Sequence, residues 1–262
     1  MTRRILPWLL VVPIAAVLLI ALAGPLLAGH DPGRVVAIPY AVHGAGLPLG
    51  ADRAGRDVWA RFLHGGQDLV VLPLVGTLAT MVLGTAIGMV SGYLRGPLDA
   101  VLSRLTNLVL VLPPVLLLLI LLHGWGYSGP TLLATILVTG VPFVSQVARA
   151  ATLSVVRTGY VEQAVALGDG PVTVMVREIL PNIVRPILAD AGSRFAIAIF
   201  ITASAGFLGF GPGDPNWGAM ISENIEGVTL SPWGVVLPAV ALSCLTVSAN
   251  LALDRLTARI PA

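Results

Sequence analysis

Residues 160–182 read YVEQAVALGDGPVTVMVREILPN, and this stretch is more polar than the chain on either side of it. It lies between two apolar runs that are each long enough to cross a bilayer. Its charged residues are Glu162, Asp169, Arg177 and Glu178. A polar segment between two spans is predicted to form structure outside the membrane, and this prediction sets the architecture of the rest of the chain.

The stretch is predicted to form two short helices joined by a turn. The first covers 161–167, and Gly168 is expected to permit a tight turn with positive φ. The second begins at Pro171, a residue suited to the first helical position, and Pro181 is predicted to end it. Its apolar residues recur at i, i+3, i+4 and i+7 and are Val172, Met175, Val176 and Ile179. Such a face must be buried, either against the membrane bundle or in a groove of a partner.

The composition is that of a protein embedded in lipid. Of the 262 residues, 56% are hydrophobic and 11% are charged, whereas soluble domains carry about 25% charged residues. The net charge of +2 comes from arginines scattered at the ends of apolar runs, so no nucleic-acid partner is predicted. Cys244 is the single cysteine and the four histidines are far apart, so neither a disulfide framework nor a metal site is predicted.

The chain is predicted to be an all-α membrane protein with six transmembrane helices, since open sheet edges cannot face lipid. Residues 1–29 are predicted to form the first transmembrane helix, because their apolar run exceeds the about 7–15 residues of a signal peptide. Residues 30–68 are predicted to form an extracytoplasmic segment. Residues 69–262 hold the other five spans, which are 69–94, 105–122, 131–148, 183–208 and 228–253.

The arginines predict that both termini are cytoplasmic. With the N-terminus inside, the inner segments carry ten arginines and the outer segments carry four, Arg34, Arg53, Arg56 and Arg61. Basic residues are enriched on the cytoplasmic side of membrane proteins. The polar stretch 160–182 is therefore predicted to be cytoplasmic, within an inner segment that covers 149–182.

The predicted outer segment ends in an amphipathic helix. Four of its apolar residues share one helical face, namely Val58, Trp59, Phe62 and Leu63. This helix either lies in the outer membrane interface or caps the helix bundle.

Three motifs lie along the chain, at 49–58, 162–182 and 206–218. Glu162-Gln163-Ala164, with Gly168 and the ILPN at 179–182, resembles the EAA loop of bacterial ABC importer permeases, although Gln163 replaces the central alanine. LGAD at 49–52 with GRDV at 55–58 is similar to the LGTDxxGRDV signature of the dipeptide/oligopeptide/nickel permease family. GFLGFG at 206–211, followed by NWG at 216–218, resembles the SFLGLG…SWG segment of the same family.

The resemblance implies a type I importer permease fold in which 149–182 is a coupling loop seated in a cleft of an ATPase subunit. The residues expected to carry the coupling are Glu162, Ala164, Leu167, Gly168, Val172, Met175, Val176, Ile179, Pro181 and Asn182. The expected partners are a homologous second permease subunit, two ATPase subunits, an extracytoplasmic substrate-binding protein and lipid of a bacterial inner membrane. Candidate residues for docking that binding protein are Asp52, Arg56, Asp57 and Trp217.

The function expected from the resemblance is ATP-driven import of dipeptides or oligopeptides, with nickel or another small solute as the alternative cargo. The sequence has no G-x-x-x-x-G-K-[ST] phosphate loop and no lysine. No catalysis and no cofactor are therefore predicted for this chain, and the partner ATPase is expected to bind ATP and Mg²⁺. A secondary transporter is less favoured because no inverted repeat is evident. A membrane-embedded protease is also disfavoured, because no span carries G-x-S-G.

Asp190 and Arg194 are charged residues predicted to lie well inside the span 183–208. Their spacing of four places them on one helical face. Charges within a span are costly and usually face the bundle interior or a wet cavity. The pair either locks the helix in the bundle or lines the substrate pathway.

Overall fold

The computed structural model describes residues 2–29, 31–44, 46–211 and 215–257. Over these ranges the protein is helical and contains no β-strand, only three isolated β-bridges in the segment before α2. The helices are α1 Thr2–Leu27, α2 Val58–His64, α3 Gln67–Leu94, α4 Gly96–Leu110, α5 Pro114–Trp125, α6 Gly129–Val155, α7 Gly159–Ala166, α8 Pro171–Val174, α9 Leu180–Phe207, α10 Trp217–Asn224 and α11 Trp233–Thr257. The all-α prediction is confirmed.

Four helical stretches in the described residues are long and apolar enough to cross a membrane: Val58–Leu94, Gly129–Val155, Pro171–Phe207 and Trp233–Leu253. Helices α4 and α5 would make a fifth span if they are counted as one broken element. Within α1, the structure describes the side chains of Ala15–Leu27. This part of α1 is apolar but shorter than a membrane span. Six spans therefore stay a prediction.

The predicted span 105–122 is not one straight helix. Helices α4 and α5 meet at an angle of 88°. Two consecutive prolines cause the break, since neither has an N–H to donate and each disfavours helical geometry in the residue before it. Pro113 is accordingly extended, with φ −60° and ψ 131°, and Pro114 starts α5.

Small residues on α3 allow α6 to approach closely. A Cβ added to Gly84 would lie 2.6 Å from the Cβ of Val144, and one on Gly88 would lie 2.2 Å from the carbonyl oxygen of Ser145. Such contacts require a residue without a side chain, so the glycines spaced every four residues along α3 form a helix-packing seam.

The buried side chains form three clusters. One lies where α2 and α10 meet α1, α3, α9 and α11, and it contains the stacked rings of Phe62 and Trp217, whose centroids are 5.2 Å apart. A second packs α5, α6 and α9 around Leu118 and Ile201. The third joins α3, α6 and the start of α9 to the helix pair of 160–182. This third cluster positions the first candidate site.

Candidate functional site

The turn between α7 and α8 is a Schellman motif. The N–H of Asp169 donates to the carbonyl of Ala164 at 3.1 Å, and the N–H of Gly168 donates to that of Val165 at 3.0 Å. Gly168 has φ +94°, so the prediction of a left-handed turn at this glycine is confirmed. A Cβ at this position would meet no atom within 4 Å, so the demand for glycine comes from the backbone angle and not from crowding.

Pro181 does not end the second helix, so that prediction was wrong. Helix α8 runs through a π turn, Met175–Ile179, directly into α9, and the N–H of Leu180 donates to the carbonyl of Met175, five residues back. A proline ring inside an α-helix collides with the carbonyl four residues before it. The wider π turn relieves this collision, and the exposed Asn182 side chain donates to the carbonyl of Glu178 at 2.7 Å.

The apolar residues of the helix pair are divided between the bundle and the solvent. Buried against α3, α6 and α9 are Val161, Ala164, Val174, Met175 and Ile179. Exposed on the other side are Val165, Leu167, Val172 and Val176, which we call the loop patch. Leu167 is 80% exposed and Val172 is 70% exposed. Glu162 and Pro181 are also exposed.

This division resolves the two alternatives for the predicted stripe. Met175 and Ile179 fold back on the bundle, whereas Val172 and Val176 do not. The π turn inserts one extra residue into the helical repeat, so a stripe drawn with α-helical spacing does not stay on one face. The loop patch is left as an apolar surface that the described chain does not cover.

Asp190 and Arg194 face each other in α9. The Nε of Arg194 lies 3.0 Å from Oδ2 of Asp190, but the two atoms are not aligned for a hydrogen bond. The guanidinium also lies over the ring of Phe143 in α6, 4.6 Å from its centroid. Arg194 further borders a narrow void between α3, α6 and α9 where the buried hydroxyls of Thr77 and Thr80 have no partner. Contact with α6 favours the helix-locking alternative.

The outer motifs meet in a buried network of ion pairs. Oδ2 of Asp52 accepts from Nε of Arg56 at 2.7 Å and from Arg61 at 2.8 Å. Glu223 of α10 accepts from Arg56 at 2.6 Å and from Arg61 at 2.5 Å. The side chains of Asp52 and Arg61 are 0% and 1% exposed. The network thus ties the segment before α2 to α10, and the backbone N–H of Arg53 adds a hydrogen bond to Oδ1 of Asn224 at 3.0 Å.

The other outer residues also make internal contacts. Asp57 caps α2 by accepting from the N–H of Trp59 at 2.9 Å. The indole N–H of Trp217 donates to the carbonyl of Phe62 at 2.8 Å, and Trp217 is fully buried. Most of α2 is buried on both faces, which fits a helix that caps the bundle better than one that lies in the interface. Asp52 and Trp217 present no surface to a binding protein, so a docking role for the outer residues stays a prediction.

A polar cavity between α4 and α6 did not emerge from the sequence. It has a volume of about 280 Å³, and we call it the α4/α6 cavity. Its lining is Ser91, Leu102, Ser103, Thr106, Asn107, Ser145, Gln146, Arg149 and Ala150. Helix α4 buries none of its residues, and its polar positions 99, 103, 106 and 107 recur at helical spacing. That amphipathic pattern is the signal that could have located the cavity.

Two side-chain pairs organise this cavity. The guanidinium of Arg149 donates to both carboxylate oxygens of Asp99, at 2.6 and 2.7 Å. Ser91 and Ser103 also donate to Asp99. Nε2 of Gln146 donates to Oδ1 of Asn107 at 2.7 Å. The cavity therefore combines a neutralised charge pair with two exposed amides.

No group of histidine, cysteine and acidic side chains in the described residues could hold a metal ion. The family described as "Binding-protein-dependent transport system inner membrane component" matches residues 84–261. The chain belongs to this family. A dipeptide transport system permease protein of Haemophilus influenzae is 30% identical over 252 residues, which cover 93% of this chain and 85% of the relative. A glutathione transport system permease of Pectobacterium atrosepticum is 29% identical over 79% of this chain and 70% of its own length.

Solved structures show the same fold. This permease superposes on a chain of the MetNI methionine ABC transporter, in an inward-facing conformation, with a TM-score of 0.64. The match covers 77% of the permease and 97% of the solved chain at 18% sequence identity. At that identity the likeness establishes the architecture of an ABC importer permease and carries no information on the substrate.

Proposed function

We propose that this permease is the membrane subunit of an ATP-driven importer of peptides in a bacterial inner membrane. Relatives over most of its length are permeases of dipeptide and glutathione transport systems, as their names state. The loop patch is the observation that carries the coupling part of the proposal. It is an exposed apolar surface on the polar stretch 160–182, whose four charged residues favour a position outside the hydrocarbon layer, so a protein partner suits it better than lipid.

In this proposal the chain crosses the membrane six times with both termini in the cytoplasm. Helix α1 and the bent pair α4 and α5 supply the spans beyond the four long apolar helices. Exposed apolar side chains on α3 and α5, such as Leu78, Val82 and Ile120, contact lipid or the second permease subunit. The arginine distribution orients the loop patch toward the cytoplasm.

The loop patch seats in a groove of an ATPase subunit, which binds ATP and Mg²⁺. The buried side of the same helix pair contacts α3, α6 and α9, so motion of the ATPase reaches the spans without an intervening flexible linker. A second permease subunit, a second ATPase subunit and an extracytoplasmic binding protein complete the importer. This chain carries no catalytic step in the proposal.

Charge placed in the loop patch tests the coupling. We expect Leu167→Asp and Val172→Asp to insert normally and to lose ATPase association, because a carboxylate in an apolar groove must be desolvated. The measurement is the amount of ATPase subunit that copurifies with the permease, together with uptake of dipeptides. Ser154→Asp is the matched control, since Ser154 is exposed at the end of α6 and lies outside the patch. Undiminished copurification of both patch variants would refute the coupling role.

Thiol labelling tests the topology. Val42 is 71% exposed in the outer segment and Ser154 is exposed near the helix pair. Each is replaced by cysteine on a Cys244→Ser background, and intact cells are treated with a membrane-impermeant maleimide. We expect labelling at position 42 and not at 154. The reverse pattern would show that the orientation is inverted.

A further inference from the structure

We propose that the α4/α6 cavity binds the peptide bond of a transported dipeptide through the side-chain amides of Asn107 and Gln146. This inference rests on the proposed function, because it presumes that the cargo is a peptide. It names the site within this chain and the chemical group that the site recognises. It also chooses between the two classes of cargo that the sequence left open, since a peptide and a metal ion demand different ligands.

The position of the cavity requires contact with water or a polar solute. Gln146 lies nine residues before the end of α6, or about 14 Å along the helix axis. It also lies two residues from the inner end of the predicted span 131–148, and Asn107 lies two residues from the inner end of the predicted span 105–122. Both amides are exposed, and exposed amides cannot face lipid without losing hydrogen bonds that cost several kcal/mol in bulk hydrocarbon. We therefore place the opening of the cavity toward the water at the cytoplasmic end of the bundle.

The two amides leave a matched donor and acceptor. Gln146 donates to Asn107 at 2.7 Å, which leaves the Asn107 amide nitrogen and the Gln146 amide oxygen without a protein partner in the described chain. If both amides are rotated, the same set remains, with one free oxygen and one free nitrogen. A peptide bond offers one carbonyl oxygen and one N–H. The amide pair can therefore hydrogen-bond both groups at once.

The charges in the cavity favour a neutral group over an ion. Arg149 is held by both oxygens of Asp99, so the guanidinium and the carboxylate offset each other. No histidine or free carboxylate lines the cavity. A divalent metal ion would find only neutral oxygens there, which are weak ligands for nickel. The neutral amide of a peptide suits the site better.

The size and the remaining lining set the length of the cargo. A volume of about 280 Å³ is just below that of typical small-molecule pockets, which begin at about 300 Å³. The cavity therefore takes a dipeptide or one peptide unit of a longer chain. Ser145, which is 5% exposed, adds a further polar residue to the lining.

Protection of an engineered cysteine tests the site directly. Leu102 lines the cavity, is half-buried and makes no side-chain hydrogen bond, so Leu102→Cys on a Cys244→Ser background reports on occupancy. The permease is purified with its second permease subunit and its ATPase subunits, without binding protein. The rate of maleimide labelling is then measured with increasing alanyl-alanine, with dipeptides of other small side chains, and with the ester analogue in which oxygen replaces the peptide N–H.

We expect every dipeptide to slow the labelling, because the site reads the backbone. The ester should need about three- to tenfold more ligand for the same protection, as expected for one lost hydrogen bond. Asn107→Leu with Gln146→Met should weaken protection and abolish the difference between dipeptide and ester. The matched control is the exchange Asn107→Gln with Gln146→Asn, which keeps one free donor and one free acceptor and should retain the difference.

Uptake measured on the same preparations with the binding protein separates the two proposals. Dipeptide uptake without any protection of the cysteine would overturn the cavity site and leave the proposed function standing. Equal protection by dipeptide and ester would also overturn the site. Failure of every peptide to be taken up by the complete importer would refute the peptide cargo itself.

Discussion

Removal of the Asp52 side chain is the sharpest test of the buried outer network. The carboxylate accepts four hydrogen bonds, from the backbone N–H groups of Ala54 and Arg56 and from the guanidinium groups of Arg56 and Arg61. Asp52→Ala therefore removes the acceptor for the backbone N–H groups of Ala54 and Arg56. It also leaves Glu223 as the one carboxylate paired with Arg61 in the described structure. The side chain of Arg61 is 1% exposed, so this charge is buried away from water.

The expected cost follows from that burial. Breaking a buried ion pair by deleting one partner costs about 3–5 kcal/mol, because the other charge is left without compensation. The stability of a typical folded protein is about 5–15 kcal/mol, so the loss is a large fraction of the total. At about 2–4 °C per kcal/mol for a chain of this size, the melting midpoint should fall by about 6–20 °C. Asp52→Asn keeps the shape of the side chain, so its melting midpoint should lie between those of the wild type and Asp52→Ala.

The assay is thermal unfolding of the detergent-solubilised permease, followed by the fraction that remains monodisperse after heating. Asp31→Ala is the control, because Asp31 accepts one exposed backbone hydrogen bond and its loss should cost at most about 0.5 kcal/mol. Glu223 is 29% exposed, so Glu223→Gln should cost less than Asp52→Ala. A melting midpoint for Asp52→Ala within about 2 °C of that of the wild type would show that the network does not hold the outer segment in place.

Three further sets of substitutions test other features. Gly168→Val should cost about 1–2 kcal/mol of loop stability because φ is +94°, and it should reduce copurification of the ATPase subunit. Gly170→Val should leave copurification unchanged, because φ is −71° at that position. Equal copurification of the two variants would contradict the role of the turn. Asp190→Leu and Arg194→Leu should each lower the melting midpoint more than the double change, and a stable double variant that does not transport would make the pair part of the pathway. Gly88→Ala should weaken the contact with α6 because its Cβ would lie 2.2 Å from a backbone oxygen; an unchanged melting midpoint would refute tight packing there.

Features set by neighbouring residues could be predicted from the sequence. The turn at Gly168 follows from a glycine between two helical patterns, and the all-α class follows from long apolar runs. The angle between α4 and α5 could not be predicted, because Pro113 and Pro114 show where a helix is interrupted but not how far the chain bends there. The π turn escaped because it depends on how Pro181 is accommodated three-dimensionally within a helix that continues.

Features made by distant residues could not be predicted in this way. Asn107 and Gln146 are 39 positions apart, and Arg56 and Glu223 are 167 positions apart. No local pattern indicates that these side chains meet. The motif at 49–58 was recognised as a family signature, but its ion pairs include Glu223, which lies outside the motif. Burial of Asp52 gives the motif a structural role inside this chain, and docking of a binding protein on the neighbouring residues stays a prediction.

The π turn fixes the register of the long helix. Helices α8 and α9 form one continuous helix of 37 residues, which is about 55 Å long. Tightening the π turn to α-helical geometry would turn the adjoining segment by about 100° and slide it by about 1.5 Å, but it would restore the collision between the ring of Pro181 and the carbonyl of Arg177. Val172 and Val176 of the loop patch lie at one end of this helix, and the Asp190–Arg194 pair lies along it. Pro181 thus sets the rotation of these two valines about the helix axis relative to the charged pair in the bundle.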